Sequence, residues 1–221
     1  MSWEPLLLSF QVATLATVIA GVLGVGLAGL MAGSRFSGSD VLDVLVTAPL
    51  VLPPTVLGYY LLHGVGRSSA LGQAYEALTG SPLVFTRTAA VVAGALAAFP
   101  FIVKSARAAM EDVDPRLTAA AATLGAPPLR VWLTIVLPLS RGGVVAGLTL
   151  GFARALGDFG VTLMIAGDIP GVTQTGALAI YDAVQASRDA QAAGLAAVMT
   201  GVATVALYFA TKLTRRKPHA W

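Results

Sequence analysis

Residues 6–33 contain no charged side chain, and nothing else in the sequence limits the fold as tightly. A helix needs roughly 20 mostly apolar residues to cross about 30 Å of hydrocarbon, so this stretch spans a bilayer with residues to spare. Four further stretches, at about residues 41–62, 86–107, 142–166 and 190–212, meet the same standard. The expected fold class is an all-α polytopic membrane protein with five transmembrane helices. Its single domain covers residues 7–213 and is followed by a basic tail, residues 214–221. Hydrophobic residues make up 56% of the chain and charged ones 11%. A soluble domain carries about 25% charged residues, so a soluble reading has little support.

A cleaved signal peptide is the rival for the first stretch. Only Glu4 precedes it, so a basic n-region is missing, and it is longer than a typical h-region. A retained helix is expected. The third stretch is short at its strict apolar limits, but Lys104 and Arg107 at its end are long enough to snorkel.

Basic residues orient the chain, because Lys and Arg concentrate in short cytoplasmic loops. With the N-terminus outside, the inner side receives Arg35, Lys104, Arg107, Arg116, Arg130, Arg141 and the tail residues Lys212, Arg215, Arg216 and Lys217. The outer side receives Arg67, Arg87 and Arg188, a ratio of ten to three, with Arg154 inside the fourth span. The expected topology is N-terminus outside and C-terminus cytoplasmic. A net charge of +3 mainly reflects this asymmetry. The basic tail is read as an anchor to anionic lipid, and no nucleic-acid partner is expected.

Chemistry within the chain is sparse. There are no cysteines, and His63 and His219 lie far apart, so neither disulfides nor a histidine-based metal site is expected. No phosphate-binding Gly-x-x-x-x-Gly-Lys-Ser/Thr loop occurs.

The polar break at residues 111–138 is different. Ala119, Ala120, Ala121 and Ala122 favour helix and present small side chains that let another surface come close. Gly125 suits the left-handed position that ends a helix. Pro127 and Pro128 fix an extended turn and start a second helix. Leu129, Trp132, Leu133 and Val136 follow at helical spacing, which predicts one apolar stripe. Pro138 is expected to mark the bend into the fourth span. Taken alone, this helix–turn–helix is either a docking element or a long connection under the bilayer.

Inside the spans, Arg154 and Asp158 are four residues apart and share one face of a predicted helix. Intramembrane charges are functional candidates by default. Two readings are open: a lining or gate for an anion route, or an ion pair holding helices together. Pro49, Pro53 and Pro54 kink or break the second span. Such backbone is tolerated where it is buried in protein or lines a cavity, so structural bending and pore lining are both open. Gly21, Gly24, Gly26, Gly29 and Gly33 give the first span close-packing faces. In the outer loops, short helices are expected near residues 71–78 and 176–186, the second preceded by the turn Asp168-Ile169-Pro170-Gly171.

Ala119-Ala120-Ala121, three residues, Gly125, nine residues and Ile135-Val136-Leu137-Pro138 resemble the cytoplasmic signature loop of ABC importer permeases. That loop reads Glu-Ala-Ala, three residues, Gly, nine residues, Ile-x-Leu-Pro. The leading Glu falls at Ala119 here, so any contact made by that carboxylate is absent. Residues 49–62, together with the run from Phe152 through Asp158 to Tyr181, are similar to molybdate ABC transporter permeases. Members commonly carry Glu at the position of Asp158 and Asn at that of Asp168.

The resemblance implies a type I importer permease in the bacterial cytoplasmic membrane, a transport subunit and not an enzyme. It implies a second copy of the chain, two copies of an ABC ATPase subunit seated on the loops, and an extracytoplasmic oxyanion-binding protein delivering molybdate or tungstate. ATP and Mg²⁺ would be used by the ATPase, with no cofactor bound by this chain. A sulfate or thiosulfate permease is the nearest alternative. An intramembrane protease and a structural assembly subunit are alternatives of other classes.

Overall fold

Small residues at helical spacing let the first helix lie close against the centre of the molecule. A computed structural model describes residues 3–33 and 38–214, with the side chains of residues 209, 210, 213 and 214 left aside. Helix α1 (Glu4–Gly33) buries Ala13, Ala16, Ala20, Gly24 and Ala28. Opposite them, α5 (Arg87–Glu111) buries Ala89, Ala90, Ala93, Gly94, Ala97, Ala98 and Ile102. A Cβ on Gly94 would lie 3.1 Å from the Ala16 Cβ, so the two backbones are nearly in contact. Lipid tails are as apolar as leucine, and helices therefore associate in membranes through close packing of this kind.

Between these helices, the chain forms α2 (Ser39–Val51), α3 (Pro54–Val65) and α4 (Ala70–Thr79). Helix α4 matches the short outer-loop helix expected near residues 71–78. The Ser69 hydroxyl accepts from the Gly72 N–H at its start, and Gly80 closes it with φ 74°. The second span does not run through as one rod over 41–62: α2 and α3 meet at 116°. Leu52 is extended, with φ −70° and ψ 140°, as steric pressure from a following proline requires. Pro54 then occupies the first turn of α3, where its missing N–H costs nothing. Pro49 sits inside α2.

After α5 come α6 (Pro115–Thr123), α7 (Pro128–Val131), a π-helical turn (Trp132–Val136) and α8 (Leu137–Leu139). The fourth span follows as α9 (Arg141–Leu156) and α10 (Gly160–Ala166). The continuous helix expected over 142–166 is therefore interrupted at residues 157–159. Helix α9 docks on α5 through Gly147 and Gly151, where added Cβ atoms would lie 3.2 Å from the Ile102 Cα and 2.8 Å from the Ile102 Cγ1. The chain ends with α11 (Gly176–Gln185), which matches the second expected outer-loop helix, and α12 (Asp189–Thr214). All regular elements among the described residues are helical.

Helices α1, α5 and α12 are each long and apolar enough to cross a membrane, and the total is up to five if each bent pair counts as one span. Helix α5 lies at the centre, between α1 and α9, and α12 is mostly exposed. Arg35 and the tail residues Arg215, Arg216, Lys217 and His219 lie outside the described residues.

The two ends of the bundle are separately tied. At one end the Gly176 N–H donates to the Ser9 hydroxyl (2.6 Å). There Arg87 also donates to the Gly171 and Val172 carbonyls (3.0 and 3.1 Å), joining the start of α5 to the loop before α11. At the other end, Lys104 donates to both oxygens of Asp43 (2.8 and 2.9 Å) and Arg107 to one of them (3.0 Å), fastening α2 to α5. Arg107 also pairs with Glu111 at 2.7 Å.

Candidate coupling loop and intramembrane ion pair

The segment after α5 is built to stand away from the bundle. The Asp114 carboxylate accepts from the Arg116 N–H (2.9 Å), Pro115 takes the first turn, and no residue of α6 is buried. The helix then stops in a Schellman arrangement. The Gly125 N–H donates to the Ala122 carbonyl (2.9 Å) and the Ala126 N–H to the Ala121 carbonyl (3.1 Å). Gly125 has φ 79°, the left-handed geometry expected of it. A Cβ there would meet nothing within 4 Å, so glycine is required by backbone conformation and not by crowding. Ala119 and Ala120 are exposed and Ala121 is partly so.

The second half of the loop departs from the expected apolar stripe. Pro138 has no N–H, and in an α-helix its ring would crowd the carbonyl of Thr134, four residues back. The π-helical turn widens the spiral there, and the Leu137 N–H donates instead to the Trp132 carbonyl, five residues back. Leu129, Trp132, Leu133 and Val136 consequently do not share a face. Trp132, Val136 and Leu137 pack on the bundle and Val131 is buried, whereas Leu129 and Leu133 face outward. Ile135 is half-buried and Pro138 exposed. The bend into α9, expected at Pro138, falls at Ser140, with an angle of 75°.

One contact and one exposed face make this loop a candidate relay. The Trp132 indole lies directly over Gly29 of α1, so closely that a Cβ on Gly29 would collide with its ring nitrogen. On the opposite side, Leu124 is 87% exposed and Leu129 67%, with Leu117 and Leu133 also exposed.

The intramembrane pair forms, but not within one helix. Helix α9 ends at Leu156, and Asp158 lies in the break before α10. Its carboxylate accepts from the Arg154 guanidinium (3.1 Å), the Thr162 backbone N–H (3.1 Å) and the Thr162 hydroxyl (2.8 Å). It therefore caps α10 while pairing with α9, and so bridges the interruption.

The prolines of the second span meet the same break. A Cβ on Gly160 would lie 2.6 Å from the Pro54 Cβ, and one on Gly58 would lie 2.6 Å from the Met164 Cβ. Half-helices α3 and α10 therefore pack on each other at the two interruptions. Pro53 precedes α3 in extended geometry, and Pro49 stays within α2, apart from this contact. The structure thus joins the proline break to the Arg154–Asp158 break and leaves the Ala119–Pro138 loop at the far end of the bundle.

Sequence reasoning missed the Asp43–Lys104–Arg107 cluster. Its signal was available: Asp43 is the one acid between residues 41 and 62, and such a group requires a partner. Lys104 and Arg107, expected only to snorkel, are that partner. Asp168, read from the sequence as part of a turn, presents a buried carboxylate oxygen with no hydrogen-bond partner among the described residues. Among the described residues, no cluster of His, Cys, Asp or Glu could hold a metal ion.

Residues 6–217 match the family described as binding-protein-dependent transport system inner membrane component. The chain is 39% identical, over 217 residues, to the putative molybdenum transport system permease protein YvgM of Bacillus subtilis, spanning 98% of this chain and 94% of that protein. It is 38% identical to the molybdenum transport system permease protein ModB of Escherichia coli, spanning 96% and 93%. Among solved structures, a bacterial ABC transporter involved in alginate import superposes with a TM-score of 0.76 at 15% identity, covering 97% of this chain and 79% of that one. The MetNI methionine ABC transporter gives 0.67 at 15% identity, covering 96% and 92%.

Proposed function

The chain belongs to the family of binding-protein-dependent transport system inner membrane components, and from that premise we propose that it is the permease subunit of an ATP-driven molybdate importer. It is a multi-pass membrane protein and a transport component, not an enzyme. The observation that carries the reading is the exposed loop of α6 to α8, with its small-residue helix, left-handed Gly125 and outward leucines. An ATPase subunit seats on this loop, and Ala119, Ala120, Ala121, Gly125, Ile135, Leu137 and Pro138 shape the contact. Trp132 passes its movement to α1.

Two copies of the chain enclose the pathway, with two ATPase subunits below and an oxyanion-binding protein above. The ten-to-three charge count supports an outer N-terminus and a cytoplasmic loop in a bacterial cytoplasmic membrane. Closure of the ATPase pair on ATP and Mg²⁺ moves the loops and switches the pathway between inward- and outward-open states. Arg154, Asp158, Pro49, Pro53 and Pro54 flank that pathway. Both relatives described above carry molybdenum in their names, which favours molybdate over sulfate.

The test is reconstitution of the chain with its ATPase and binding protein in proteoliposomes. ATP-dependent uptake of molybdate in preference to sulfate is expected. Sulfate uptake that exceeds molybdate uptake, or ATP hydrolysis with no anion uptake, would overturn the reading.

A further inference from the structure

Arg154 and Asp158 form one ion pair, but their surroundings are unequal. The Asp158 side chain is 1% exposed and that of Arg154 35%. Asp158 does not depend on Arg154 for its hydrogen bonding, because Thr162 supplies two of its three donors. Arg154, by contrast, commits one nitrogen to Asp158 and bonds nothing else among the described residues. A guanidinium carries five N–H donors in a rigid fork, so most of them are unspent.

The placement adds to this imbalance. Along α9, Gly147, Gly151 and Ala155 are buried, whereas Leu150, one turn before Arg154, is 41% exposed. Arg154 therefore stands on the side of α9 turned away from the core. Lipid tails offer its free N–H groups no acceptor, and a charge facing them is costly. Water and anions are the partners that satisfy it. An anion arriving on that face meets the guanidinium first, with the carboxylate buried behind it.

We propose that Arg154 is the residue of this chain that contacts the transported tetrahedral oxyanion within the membrane, and that Asp158 is the positioning residue that aims it. This rests on the importer reading above and divides a pair whose members otherwise share one role. The planar fork matches two oxygens of a tetrahedral anion, and bonds between charged groups are shorter and stronger than neutral ones. Lysine, a point charge, reproduces the charge but not the fork. A lipid phosphate headgroup offers the same oxygen chemistry, and the experiment separates the two sources.

Wild type, Arg154→Gln and Arg154→Lys are reconstituted with the ATPase and binding protein in liposomes of neutral lipid and of neutral plus anionic lipid. Complex assembly, ATP hydrolysis and molybdate uptake are measured together. Expected is assembly as in wild type, ATP hydrolysis retained, and molybdate moved per ATP reduced about tenfold in Arg154→Gln, as for loss of a charge-assisted bond. Arg154→Lys should fall between, and both effects should be independent of lipid. An unchanged ratio in Arg154→Gln overturns the proposal. A defect that tracks anionic lipid content overturns it in favour of a lipid headgroup. If Arg154→Gln does not assemble, Arg154→Lys decides: a reduced ratio supports the proposal and a wild-type ratio overturns it. Absence of molybdate uptake by wild type itself would instead refute the importer reading, a result that no variant is needed to recognise.

Discussion

Asp158 shows how much one side chain decides in a medium without water. Its carboxylate satisfies the start of α10 and holds the end of α9 at once. Asp158→Ala should leave the Thr162 donors unsatisfied and lower stability by about 1–3 kcal/mol, read as a lower unfolding temperature of the purified chain in detergent. Asp158→Asn keeps an acceptor and should lose less. Equal melting of the Ala variant and wild type would mean that the break is held by packing alone. Gly125 is the complementary case, in which the backbone does the work. Its φ of 79° costs a residue with a Cβ roughly 1–2 kcal/mol, and more for a β-branched one. Since a Cβ there meets no neighbour, Gly125→Val tests conformation without a clash. The variant should insert normally yet lose ATPase attachment or coupling, and Gly125→Asn should be milder because asparagine tolerates left-handed geometry. Normal assembly together with normal uptake in Gly125→Val would reduce the loop to a connector.

At the scale of elements, interruptions matter more than helices. Helix α2 is fastened to α5 by Asp43, Lys104 and Arg107, while α3 rides on α10 through Gly58 and Gly160. The break at Leu52–Pro53 thus separates two pieces with different anchors. The π-helical turn has a comparable place, between an exposed loop and a ring seated on α1. Gly29→Ala should drive the Trp132 indole off its seat, an overpacking cost of about 1–3 kcal/mol. In a background with Trp3 and Trp221 replaced by Phe, emission from Trp132 should shift to the red and ATPase activation by the binding protein should weaken. Unchanged emission would show that the ring is not held by α1.

For the whole molecule, topology and copy number are the quantities to measure. A reporter fused after Trp221 should be active only on the cytoplasmic side, since ten of thirteen oriented basic residues fall on that side. Native mass measurement of the assembled complex should find two copies of this chain and two of an ATPase. One copy beside a different permease would favour the sulfate-type arrangement.

The apolar helices, the glycine that ends α6 and part of the contact face of α1 were legible in the sequence: Gly21, Gly24 and Gly29 meet neighbours, whereas Gly26 and Gly33 meet none within 4 Å. Each depends on periodicity or on the φ of one residue, and both are local properties. The prolines likewise announced a break, because Pro53 constrains Leu52 whatever surrounds it. What a local signal lacks is direction and partner. The 116° turn, the seating of Pro54 against Gly160 and the pairing of Asp43 with cations 61 and 64 residues away arise only when α5 brings distant segments together. The same holds for the loop's leucines. Their spacing predicted one stripe, but Pro138 forced a π-helical turn and the bundle claimed Trp132 and Val136, which left Leu129 and Leu133 outside. The sequence by itself determined where helices form and stop. Tertiary packing decided what they touch, because in a membrane that choice rests on close approach of backbones and on finding a partner for every buried charge.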